Sequence, residues 1–253
     1  MLTDPWFYLA ALPIVFLVGL SKGGFLPGLG LLGVPLLSLV VPPATASGIL
    51  LPVLLAMDVV AVWSYRNSFN RKHLMVLLPT ALIGLAIGWL TASRITEAHF
   101  RVILGVIGIL FLLHALFMKA RAREMRPPGR ILSLILCTAA GFTSFISHAG
   151  GPLAQIYLQP QKLPPAMFSG TMVMCFAALN FIKVGPFLAL GLINMSSLTL
   201  GITLLPMAVI ASSCGVWLNK RIPQEPFYLI ANICLAVVSA ELLRSGIVKL
   251  MAG

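Results

Sequence analysis

The sequence predicts an all-α polytopic membrane protein made of two homologous four-element halves, arranged as inverted repeats with broken or re-entrant first helices. Three observations carry this: a composition with too little charge for a water-soluble surface, apolar stretches long enough to cross a bilayer, and an internal repeat running the length of the chain. Of the 253 residues, 59% are hydrophobic and 9% charged, with a mean hydropathy of +1.03. A soluble domain needs far more charge than that. The stretches are Leu- and Ala-rich without the alternation of barrel strands, so they read as helices.

Taken in order, the apolar segments fall near 5–20, 25–41, 44–64, 73–92, 100–118, 131–147, 151–161, 165–189, 196–218 and 226–246. Segment 151–161 is too short to cross the ~30 Å hydrocarbon core by itself. The run KARAREMRPPGR (119–130) is the most polar stretch and separates the two halves, 1–118 and 131–253. It reads as a basic cytoplasmic linker meeting anionic lipid. Nothing folded accompanies it, so the net charge of +11 does not point to nucleic acid.

The repeat is explicit. VVPPATASG (40–48) answers KLPPAMFSG (162–170) at an offset of 122, and KGG (22–24) answers AGG (149–151) at 127. Pro79, Gly88, Arg94 and Phe100 align with Pro206, Gly215, Arg221 and Phe227 at the same later offset. If each broken first element enters and returns on one side, three crossings remain per half and the halves are inverted. That arrangement puts Arg66, Arg71, Lys72, Lys162, Lys220, Arg221 and the linker cations on one side. Arg94, Arg101, Arg244 and Lys249 fall on the other. A parallel arrangement spreads the charges more evenly, so the positive-inside rule favours inversion, with the linker cytoplasmic and both termini outside.

Several classes are disfavoured. Cys137, Cys175, Cys214 and Cys234 all lie in apolar segments without CxxC or nearby His spacing, and read as small packing residues. No metal or other cofactor is expected. There is no P-loop, and no HExxH, GxSxG or Asp pair for an intramembrane enzyme. The N-terminus lacks a basic region before its apolar run and reads as a retained segment rather than a signal peptide.

The chemistry gathers at the breaks. SKGGFLPG (21–28) and SHAGGPLA (147–154) interrupt apolar runs. Helices restarting after Gly24 and after Gly151 would aim unpaired N–H groups and positive dipole ends toward the midplane, a geometry suited to an oxyanion. Gly23, Gly24, Gly150 and Gly151 would allow close backbone approach. Lys22 either contacts an anion or snorkels to a headgroup; His148 is either a ligand contact or a packed, hydrogen-bonded imidazole. Asp58 and Asn180 are equivalent at an offset of 122, and Lys183 lies one helical turn from Asn180. Asp58 could carry a proton or pair with a lysine; two interior lysines against one aspartate leave the cavity positive. Gln155, Ser21, Ser47, Ser147, Ser169 and Thr171 are further neutral donors. Trp63, Trp89 and Trp217 read as interface anchors.

The paired Gly-Gly breaks, the Pro-Pro-Ala-x-x-Ser-Gly elements and about eight spans resemble the TauE/SafE family of sulfite exporters. The matching positions are Gly23, Gly24, Pro42, Ser47 and Gly48, then Gly150, Gly151, Pro164, Ser169 and Gly170. The resemblance implies a secondary transporter of the bacterial inner membrane exporting sulfite, sulfoacetate or a related organosulfonate. An anion channel of the same architecture is the alternative, and an intramembrane enzyme a distant third. The oligomeric state, a homodimer included, is left open.

Overall fold

The computed structural model describes residues 5–25, 29–92 and 127–219, scattered positions between 94 and 113, residues 221 and 240, and a helical stretch at 243–251. The expected segments at 100–118 and 226–246 therefore lie largely outside the described residues. Among the described residues the protein is all-helical. Six helices are long and apolar enough to span: α1 (Pro5–Lys22), α3 (Pro43–Tyr65), α4 (Arg71–Ala92), α5 (Arg130–Ser147), α7 (Pro165–Ala189) and α8 (Met195–Asn219). Two short helices, α2 (Gly33–Leu37) and α6 (Gly151–Leu158), sit between α1 and α3 and between α5 and α7.

The sequence explains these boundaries. In each Pro-Pro-Ala element the first proline is extended, Pro42 at φ −55°, ψ 142° and Pro164 at φ −51°, ψ 143°. A proline forces its predecessor out of the helical region, and the second proline then starts α3 or α7 at the position where its missing N–H costs nothing. The expected segment 25–41 is not a span. It holds a 3₁₀ turn at Leu29–Leu32 and the five residues of α2, each too short to cross. α6, at eight residues, rises only about 12 Å.

Packing sorts the helices into two bundles. One core joins Phe7, Val15 and Val18 of α1, Val34 and Leu37 of α2, Ile49 and Met57 of α3, and Leu200 and Leu204 of α8. The other joins Leu77 and Leu85 of α4, Cys137 and Phe145 of α5, Tyr157 of α6, and Cys175 and Phe187 of α7. Each bundle thus takes three elements from one half of the chain and its last described span from the other half. Backbones touch where glycines meet: a Cβ on Gly84 or Gly141 would run into the carbonyls of Thr138 or Ala81 across the α4–α5 contact. Gly23 and Gly215 do the same for α1 and α8.

Contacts fix the helix directions. Gly19 of α1 and Gly23 just past its end meet Ala211 and Gly215 of α8 in rising order, and Ile49 and Met57 of α3 meet Gly201 and Ser212, so α1, α3 and α8 run one way. Gly48 meets Leu192 while Gly170 meets Ser68, so α7 runs opposite to α3; Gly84 and Gly88 meet Thr138 and Phe145, so α5 runs with α4. Outward-facing residues such as Val59, Leu90, Phe181 and Ile210 are exposed apolar side chains, whereas Asp58, Asn180 and Lys183 are buried. Polar inside and apolar outside is the arrangement lipid demands.

Candidate functional site

Both breaks are helix C-termini followed by left-handed residues. α1 ends in a turn with Gly24 at φ 92°, where Phe25 N–H reaches Leu20 O at 3.1 Å and Gly24 N–H reaches Ser21 O. Positive φ is the ordinary role of glycine past a helix end. In the second half the left-handed position is occupied by His148 (φ 55°, ψ 18°), not by either glycine of the aligned pair. The helix restart expected after Gly24 falls partly on residues 26–28, outside the described residues; among the described residues the next helical turn is Leu29–Leu32. In the second half α6 starts at Gly151, as its sequence leads one to expect, with Pro152 in its first turn.

Between the bundles lies a cavity of about 90 Å³. Of the residues singled out in the sequence, Lys22, Gly24, His148, Gly151, Gln155 and Asn180 line it, joined by Ser21 and Ser169. Gly23 and Gly150 are not among the lining residues. Gly23 packs against α8, and a Cβ on Gly150 would strike the Ala140 carbonyl and Phe176. Asp58 and Lys183 stand one layer behind the wall, each gripping residues that line it.

Asp58 is divided between two partners. Lys22 Nζ donates to Oδ1 at 2.7 Å, and Asn180 Nδ2 donates to Oδ2 at 2.6 Å. Lys22 thus neither snorkels nor stands alone; its ammonium pairs with Asp58 at the cavity wall. Lys183, fully buried on α7, has no carboxylate partner among the described residues. It donates to Ser144 O at 2.9 Å, to Ser144 Oγ at 3.2 Å and to His148 Nδ1 at 2.8 Å. Ser144 belongs to the last turn of α5 and its carbonyl already accepts from His148 N–H at 3.0 Å, so the lysine adds a charged donor at the negative end of that dipole. Asn180 and Lys183 share a helix but not a target: Asn180 faces the cavity and Lys183 turns to the α5 terminus.

The network also assigns the imidazole. With Nδ1 accepting from the Lys183 ammonium, the ring hydrogen sits on Nε2, directed at Ser47 O at 3.1 Å and near Ser47 Oγ at 3.3 Å. His148 is then uncharged. Ser47 comes from the first Pro-Pro-Ala-x-x-Ser-Gly element, so one motif braces the other half's break. Gln155 Nε2 is buried without a hydrogen-bond partner at the cavity wall. A buried donor left unpaired costs about 1–3 kcal/mol, so a ligand oxygen is the natural complement.

Sequence reasoning missed Ser144 and Tyr65. Tyr65 OH donates to Gly23 O at 2.9 Å and accepts from Asn219 Nδ2 at 3.0 Å, holding the α1 turn against α3 and α8. Its only advance signal was its position at the end of a span, which tyrosine often occupies for interfacial reasons. Among the described residues no group of His, Cys, Asp and Glu is placed to hold a metal.

Among the described residues, six helices long and apolar enough to cross a membrane, two broken segments and an internal cavity lined by charged and polar groups define a multi-pass integral membrane protein. The chain matches the family model of the sulfite exporter TauE/SafE over residues 11–242 and belongs to that family of membrane transporters. No curated protein and no solved structure matches it.

Proposed function

We propose that the protein is a secondary transporter that exports a small sulfur-containing anion, such as sulfite, sulfoacetate or a related organosulfonate, by alternating access. The observation that carries this reading is the cavity between the bundles, lined by both Lys22 and Gln155, whose amide has no protein partner. Gly24, His148, Gly151 and Asn180 complete the anion site; Gly23, Gly150 and Lys183 support it from behind. Asp58 acts as the ion-pair partner of Lys22.

Inverted halves, 1–118 and 131–253 around the linker 119–130, are supported by the helix directions: α5 and α7 run opposite to their counterparts α1 and α3, and α8 opposite to α4. Rocking one bundle against the other would then expose the cavity to each side in turn. Arg66, Arg71, Lys72, Arg130, Lys162 and Arg221 flank one set of helix ends, which supports a cytoplasmic placement of the linker and outward termini in a bacterial inner membrane. Expelling an anion from a negative-inside cell gains about 2.3 kcal/mol per charge at 100 mV, so no ATP is needed.

Proteoliposomes loaded with labelled sulfite provide the test. Saturable efflux that is accelerated by unlabelled sulfite outside supports the carrier. Unsaturated single-channel currents would replace it with a channel, and absence of any sulfur-anion flux would end the proposal.

A further inference from the structure

We propose that the site selects its substrate by charge and takes a singly charged anion in preference to a doubly charged one. This deepens the transport reading and rests on it; of the anions named there it favours hydrogen sulfite or a monosulfonate over sulfoacetate, whose sulfonate and carboxylate are both ionised at neutral pH. Among the described residues around the cavity, the charged groups are Lys22, Asp58 and Lys183. His148 is neutral by its hydrogen bonds, and Tyr65 is paired with Gly23 and Asn219. Two ammoniums against one carboxylate leave one positive charge. A monoanion brings the site to neutrality; a dianion leaves a buried negative charge, which is costly away from water.

The shape of the wall agrees. Lys22, His148, Gln155 and Asn180, with the hydroxyls of Ser21, Ser144 and Ser169, supply the polar part. Phe168, Met172 and Phe176, spaced four apart on α7, form an apolar stripe along the remaining wall. A sulfonate head can satisfy the polar part while an apolar remainder lies on the stripe. The second acidic group of a dianion held along that stripe would lie against Phe168, Met172 and Phe176, whose side chains offer no donor.

The charge count makes Asp58 the determinant. Asp58→Asn raises the site to two positive charges and should move the preference to dianions. Lys22→Gln lowers it to zero and should weaken both. The double variant Lys22→Gln/Asp58→Asn returns it to one and should restore the monoanion preference, although the Lys22 contact is gone.

The experiment titrates the full-length protein in detergent with methanesulfonate and with methanedisulfonate at matched ionic strength, reading thermal stabilisation. The native protein should favour methanesulfonate by at least about tenfold, and Asp58→Asn should reverse the order. Equal or tighter binding of methanedisulfonate to the native protein overturns the inference. So does a folded Asp58→Asn with unchanged preference. Where Asp58→Asn does not fold, Lys22→Gln and the double variant decide: failure of the double variant to regain monoanion preference refutes the charge count. If no sulfur anion, sulfite included, stabilises the native protein, the anion site itself falls. Charge-blind binding of both probes rejects only the selection.

Discussion

His148 offers the sharpest test of the second break, because its backbone and its ring make separable contributions. The residue sits at φ 55° and ψ 18°, a left-handed conformation that costs a residue with a Cβ about 1–2 kcal/mol. His148→Ala keeps that cost and deletes the bonds to Lys183 and Ser47, each worth about 1 kcal/mol net. His148→Gly deletes the same bonds but relieves the backbone. Against this, glycine loses roughly 0.4–1 kcal/mol more entropy from the unfolded chain. The balance leaves His148→Gly the more stable of the two by roughly 0.5–1 kcal/mol, the reverse of the order inside a helix. Apparent unfolding midpoints, read by circular dichroism in one detergent at one scan rate, should place the glycine variant roughly 1–3 °C above the alanine variant, with both below the native protein. Both variants lose the same ring, so its contacts cancel in the comparison. An alanine variant equal to or above the glycine variant would show that residue 148 is not held left-handed.

Gln155→Leu should leave the unfolding midpoint unchanged or slightly raised, since Nε2 has no protein partner to lose. Methanesulfonate binding should weaken by about 1–2 kcal/mol, a roughly five- to thirtyfold rise in Kd from thermal-shift titration. Tyr65→Phe removes the bonds to Gly23 O and Asn219 and should cost about 1–2 kcal/mol of stability with little change in Kd for the same anion. Gly141→Val should be far harsher, because even a Cβ there meets the Ala81 carbonyl; loss of about 2 kcal/mol or more, or of the folded protein, is expected by size-exclusion chromatography. Cys137 and Cys175, both buried, should resist maleimide in the native protein and react after denaturation.

What the sequence disclosed and what it withheld follow from the range of the interactions. The Pro-Pro-Ala elements act locally, and the segments read from near 44 and 165 begin within a residue of the helix starts at Pro43 and Pro165. The breaks were visible because a lysine, a histidine and paired glycines have no business in a lipid-facing run. Yet the glycine pairs misled on detail: alignment sets KGG against AGG, whereas the left-handed residues are Gly24 and His148. A histidine is held there by Lys183 and Ser47, 35 residues downstream and 101 upstream in sequence. No local pattern encodes that. The pairing of Lys22 with Asp58 was one of two open readings, and only packing of α1 along α3 decides it. Lys183 was assigned to the cavity by its spacing from Asn180, but helical spacing fixes a face, not the partner that a long side chain reaches.

The two breaks have similar geometry and different chemistry. α1 carries its own terminal cation, Lys22, neutralised by Asp58 of the same bundle. α5 borrows its cation from α7, again within one bundle, and no carboxylate answers it among the described residues. The bonds that cross between bundles at the site are the neutral or half-neutral ones, Asn180 to Asp58 and His148 to Ser47. If the bundles rock, those two bonds are the ones that part, while both ammoniums keep partners that move with them. Neither lysine is then left bare in the membrane at any stage, which would otherwise cost several kcal/mol. The unbalanced charge stays with the α4–α7 bundle. On the proposed mechanism, an anion bound between the bundles would substitute for the crossing bonds, and substrate would make parting them inexpensive.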